Sequence, residues 1–156
     1  MTRASGKRAH EPPLNEVTVN TNDFEGVPRA RVRQGVLHAL READTHGAEI
    51  SVTFVDDDAI RALSRDFLER DAVTDVIAFT LGELGEDLLG DVYIGCEQAR
   101  RQAAELSLDP AEELVRLAIH GTLHVLGHDH PEGPERLESP MFTLQERLLR
   151  EVLAAR

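Results

Sequence analysis

The stretch His120-Gly121-Thr122-Leu123-His124-Val125-Leu126-Gly127-His128-Asp129-His130 concentrates the chemistry of this sequence. Residues four apart share one face of an α-helix, about one turn along its axis, so His120 and His124 can aim two imidazoles at one point. That pairing is a common way to hold a transition metal. Gly127 comes three residues after His124, where a helix can end in a left-handed turn that glycine enters freely. The chain can then double back and bring a third histidine to the same ion. His128 is too far along, since eight helical residues rise ~12 Å. His130, beyond the glycine, is better placed. The predicted ligands are therefore His120, His124 and His130, with His128 outside the set.

Three neutral ligands leave a fourth position open for water, which is the pattern of a catalytic zinc. With no carboxylate or thiolate to offset it, the ion would attract an anionic substrate and lower the pKa of its water towards ~7. One zinc ion is expected, although nickel, cobalt and iron accept the same ligands. Asp129 is a candidate to hold a ligand imidazole in its tautomer, with a turn or cap role as the plainer alternative. The ligand spacing is similar to that of the metzincin proteases, H-E-x-x-H-x-x-G-x-x-H, and Met141 lies downstream where those enzymes have a methionine turn. The glutamate that acts as their base is replaced here by Gly121, which cannot move a proton. A zinc peptidase is thereby disfavoured.

The elements that must position these residues read as a single α+β domain: a small mixed sheet of about four strands with about five helices, in the order β-α-β-α-β-β-α-α-α. Strands are expected at Val17–Val19, Ile50–Val55, Val76–Phe79 and Asp91–Ile94. The first helix opens at Pro28 and carries Val32, Val36, Leu37 and Leu40 at helical spacing. A second begins at Asp56-Asp57-Asp58, where anions suit a helix N-terminus, and runs through Ile60, Leu63, Phe67 and Leu68. A third spans Glu97 to Leu106, with Ala99, Ala103 and Leu106 facing inward. The fourth has Asp109 as N-cap, Pro110 at its first position and Glu112 completing a capping box. It turns Leu114, Leu117 and Ala118 inward and reaches about Leu126, so the metal site sits on a helix and the turn after it. The last runs from about Met141 to Leu153. Residues 1–14 read as a flexible tail and 15–156 as the domain, with the Gly- and Glu-rich segment Leu81 to Gly90 as a loop.

Of the 156 residues, 41% are hydrophobic and 29% charged, enough for a real core and unlike a disordered chain. No apolar run approaches the ~18 residues of a membrane span. No apolar block follows the basic residues of Met1 to Glu16, so no secretory signal is expected. The lone Cys96 cannot close an intrachain disulfide and is expected in the core; a cytoplasmic home is the simplest. The net charge of −12 excludes a general binder of phosphate backbones, DNA included. Any nucleic-acid contact must use a local basic cluster: Arg3, Lys7 and Arg8; Arg29, Arg31 and Arg33; or Arg100 and Arg101. Tyr93 is the only tyrosine and tryptophan is absent, so stacking would fall to five phenylalanines, most of which read as core.

His120 to His130 fits the H-G-x-L-H-x-x-G-x-D-H signature of the YbeY-like endoribonucleases, or rRNA maturation factors, and the chain resembles that family over all but its first 14 or so residues. Thr74-Asp75-Val76-Ile77-Ala78-Phe79 is similar to the family's T-D-V-L-S-F segment. Leu89-Gly90-Asp91-Val92 is similar to its L-G-D-I strand start, and Met141-Phe142 with Gln145-Glu146 to its closing M-x-x-x-Q-E helix. The resemblance implies a zinc-dependent, single-strand-specific endoribonuclease in small-subunit rRNA maturation and ribosome quality control. It also implies a cytoplasmic protein working with rRNA, the small subunit and its proteins, with zinc on His120, His124 and His130. Attack by metal-bound water and by a 2′-hydroxyl are both compatible with that chemistry. Asp75, Asp129 and Arg70 are the candidates for catalytic roles. One departure stands out: the family's L-N-x-x-Y-R reads Leu63-Ser64-Arg65-Asp66-Phe67-Leu68 here. Leu68 takes the arginine's place, leaving Arg70 or Arg65 as neighbours that could reach the site. That departure and the acidic surface lend weight to the alternative, a non-catalytic, metal-stabilised ribosome assembly factor, while the endoribonuclease remains the leading reading.

Overall fold

The computed structural model describes residues 11–81 and 87–155. Strands β1 (Glu16–Asn20), β2 (Glu49–Val55), β3 (Val76–Thr80) and β4 (Leu89–Gly95) form one sheet in the order β1-β2-β4-β3. β1, β2 and β4 run parallel, and β3 closes the edge antiparallel to β4. Five α-helices accompany them: α1 (Arg29–Glu42), α2 (Asp57–Leu68), α3 (Cys96–Glu105), α4 (Pro110–Val125) and α5 (Pro140–Ala154). A 3-10 helix at Gly133–Glu138, not anticipated from the sequence, joins the metal turn to α5.

Alternation along the strands decides which face each helix covers. Val17, Val19, Ile50, Val52, Phe54, Val92 and Ile94 turn to one face, where they pack with Val32, Val36 and Leu40 of α1, Leu114 and Ile119 of α4, and Leu148 of α5. Val55 and Ile77 turn to the other, under Ile60 and Leu63 of α2. α4 is the central helix, packed on α1, α3, α5 and the strands β3 and β4. Its Leu114, Ile119 and Leu123 are at most 1% exposed, and each such side chain contributes ~1.5–3 kcal/mol of burial. The helix carrying the histidines is thus a fixed platform.

The helix ends follow local chemistry. Asp56 accepts from the Ala59 N–H and Asp109 from those of Ala111 and Glu112. The reciprocal bond from the Glu112 side chain that would complete a capping box is not formed, leaving Asp109 to cap alone. Cys96 is fully buried.

Two apolar assignments need correction. Leu106 lies at the α3 terminus and is 67% exposed, and Phe67 on the last turn of α2 is 65% exposed. Helical spacing stops constraining a side chain once the helix extends past the sheet it covers. Only Phe54 among the phenylalanines is fully buried, while Phe67, Phe79 and Tyr93 meet edge to face. Residues 1–10 of the expected tail, with Arg3, Lys7 and Arg8, lie outside the described residues, as do 82–86 of the expected loop. Within the tail's last residues, the Pro13 carbonyl accepts from Gly47 N–H, which ties them to the α1–β2 connection. No helix among the described residues is long and apolar enough to cross a membrane.

Candidate metal centre

The site begins with the end of α4. Gly127 has φ +98°, its N–H bonds to the His124 carbonyl, and the His128 N–H bonds to the Leu123 carbonyl. That pair of bonds is a Schellman ending, available because glycine enters the left-handed region without strain. It reverses the chain and brings His130 over the face that carries His120 and His124. Nitrogens of all three rings lie within 4.8 Å of one another. Nε2 of His120 and Nε2 of His124 are 3.1 Å apart. The three rings are half-buried, and the His128 side chain is exposed.

The tautomers show that these residues fit a metal. Nδ1 of His120 lies 2.6 Å from Oε1 of Gln145, Nδ1 of His124 is 3.0 Å from the His128 carbonyl, and Nδ1 of His130 is 2.9 Å from the Pro131 carbonyl. With each Nδ1–H given to an oxygen, a neutral ring holds no proton at Nε2. The 3.1 Å approach therefore sets two lone pairs side by side. It is close to the ~3.3 Å ligand–ligand edge of a tetrahedral zinc with ~2.0–2.1 Å bonds. Burial lowers the pKa of His120, with the facing His124 and His130 adding to the effect against the Gln145 bond. Burial also lowers that of His124, with His130 adding again. Both shifts keep the rings neutral, as ligands must be.

Gly121 has a steric reason. A Cβ there would lie 2.5 Å from Cγ1 of Val92 on β4, so α4 approaches the sheet only because this position has no side chain. A glutamate there would have to displace Val92, so packing disfavours a metzincin-type base at this position.

The triad opens into a cleft of about 770 Å³ between α4, α5, the 3-10 helix and the start of β3. Asp75 lines it, half-buried, with Oδ2 accepting from Gln102 at 3.1 Å. Arg70 lines it too, 70% exposed in its side chain and 3.9 Å from Glu132. Arg65 pairs with Asp66, and neither Arg65 nor Leu68 lines the cleft. Asp129 accepts the His130 backbone N–H at 2.8 Å and bonds to no imidazole among the described residues, so its bond is that of a turn residue.

Sequence reasoning missed Arg116, Glu113 and Arg136 in the cleft, and gave Gln145 and Glu146 no role. Arg116 lies four residues before His120, on the same helical face, which was a readable signal. Its partner Glu146 comes from α5 and was not. Three arginines of the basic clusters singled out in the sequence are engaged elsewhere. Arg29 donates to the Val19 carbonyl, Arg100 to the Glu25 carbonyl and Arg101 to Asp57.

An α+β domain mounts three converging imidazoles on a buried helix and its glycine turn, at the wall of a cleft, in an arrangement fit to hold a metal ion. The model of the family described as Endoribonuclease YbeY matches residues 16–153, and the chain belongs to that family. A Geobacillus kaustophilus protein named Endoribonuclease YbeY is 40% identical over 146 residues, covering 86% of this chain and 88% of its own. A Persephonella marina protein of the same name is 33% identical over 144 residues, covering 89% and 94%. The solution structure of a Thermotoga maritima protein is similar at a TM-score of 0.58 and 26% identity, covering 89% of each chain.

Proposed function

We propose that this protein is a zinc-dependent, single-strand-specific endoribonuclease of small-subunit rRNA maturation and ribosome quality control, acting in the cytoplasm on rRNA beside the small subunit and its proteins. The observation that carries the reading is the convergence of His120, His124 and His130 with Nε2 free on each, in a chain whose relatives are named as endoribonucleases. Those three residues would hold the ion. When bound, zinc supplies Lewis acidity at the scissile phosphodiester and a fourth coordination position. Asp75, at the cleft wall, is the proposed acceptor for a proton from the attacking group, and its bond from Gln102 aims the carboxylate. Arg70, nearly free, is the proposed contact to a substrate phosphate in place of the family arginine lost at Leu68.

Labelled single-stranded RNA tests this, incubated with the protein and with His124→Ala prepared identically. Cleavage by the first alone supports the reading, and equal cleavage by both would point to a contaminant. The second reading, a metal-stabilised assembly factor, draws on Leu68 and the net charge of −12. Zinc bound without cleavage of any RNA would favour it.

A further inference from the structure

The three ligand imidazoles are not held alike. His124 and His130 give Nδ1–H to main-chain carbonyls, which can only accept, so each ring has one tautomer available. His120 faces the side-chain amide of Gln145. An amide has two ends. Turned over, it would offer NH2 to Nδ1, and the ring proton would move to Nε2, the nitrogen the metal needs. Gln145 is 4% exposed, so solvent does not decide the matter. Its Nε2 donates to Oε2 of Glu146 at 3.0 Å, and a carboxylate only accepts. Glu146 is clasped by Arg116 through bonds of 2.8 and 3.2 Å, and a further arm of Arg116 reaches Glu113 at 2.6 Å.

We infer that Glu113, Arg116, Glu146 and Gln145 form a relay of fixed donor-to-acceptor direction that sets which nitrogen of His120 faces the metal. Gln145 is the positioning residue and Glu146 the residue that orients it. The inference rests on the triad holding a divalent metal, as proposed above. Oε2 of Glu146 takes both the Gln145 NH2 and the Arg116 Nε–H, so Glu146→Leu leaves the Gln145 NH2 without its acceptor. The Gln145 amide is then free to turn over, and the His120 proton distributes between Nδ1 and Nε2. The double substitution Gln145→Glu with Glu146→Leu restores the direction, because a carboxylate at 145 accepts from Nδ1–H whichever way it is turned.

Two readouts test the relay in the full chain. Heteronuclear NMR of the ring nitrogens reports the His120 tautomer in metal-free protein, and chelator competition reports zinc affinity. Glu146→Leu should lose the Nδ1–H preference of His120 and weaken zinc ~10–100-fold, and the double substitution should reverse both changes. Gln145→Leu, which leaves the Arg116–Glu146 pair intact, should lose the tautomer preference and weaken zinc to a similar degree. An unchanged tautomer in Glu146→Leu, or no recovery in the double variant, would overturn the relay. If the parent protein takes no zinc, the triad reading fails, and the tautomers still decide the relay.

Discussion

At the scale of single residues, the pH dependence follows from burial. The folded pKa values of His120 and His124 lie below the ordinary 6.5, so between the two values the unfolded chain binds more protons than the folded one. Stability of the metal-free protein should therefore fall as pH drops through and below about 6.5. Burial raises Glu113 against the pull of Arg116, which gives the opposite slope. Denaturant midpoints measured across that range, in the parent and in Glu113→Gln, should show the histidine slope more plainly in the variant. Metal binding should weaken over the same range, because protons compete for the ligand nitrogens. Arg70→Ala should raise KM for RNA several-fold and leave the melting temperature unmoved, since an exposed pair at 3.9 Å adds little stability. An unchanged KM would remove Arg70 from the substrate contacts. Ser64, 1% exposed with no partner for its hydroxyl among the described residues, sits where the family's asparagine is expected. Ser64→Ala should be neutral or stabilising by about 1 kcal/mol in chemical denaturation.

At the scale of elements, the approach of α4 to the sheet decides the site. Gly121→Ala gains ~1 kcal/mol of helix propensity but forces a Cβ onto Val92, an overpacking that costs ~1–3 kcal/mol. A net loss of stability and weaker zinc binding are expected, with part of the stability recovered when Val92→Ala is added. Full additivity of the two changes would show that the contact does not govern the packing. The His120/His124/Gly127/His130 arrangement was legible because it is local: a helical period and one glycine turn generate it. The strands and the caps at Asp56 and Asp109 were legible for the same reason. What brings Gln145 to His120, or Glu146 to Arg116, is the docking of α5 on α4 across about 30 residues, which no spacing along the chain encodes. The exposed Phe67 and Leu106 were misread because helical period does not say where the covering surface stops.

At the scale of the whole molecule, the core does not depend on the metal. The main apolar cluster draws on alternating residues of β1, β2 and β4 and on α1, α4 and α5, while the triad lies at its margin. Chelation should lower the melting temperature without unfolding the chain, and added zinc should raise it with concentration as expected for a ligand that binds only the folded state. Loss of the fold on chelation would make the centre structural. A net charge of −12 repels RNA over most of the surface, so the cleft arginines confine any contact to one place. There is also a consequence for inheritance. The carbonyls of His128 and Pro131 stay in place whatever side chains those positions acquire, so two of the three rings are oriented by atoms that point mutation does not delete. The orientation of His120 is written in side chains alone, and there a lineage can drift, or a designer can retune the centre, one codon at a time.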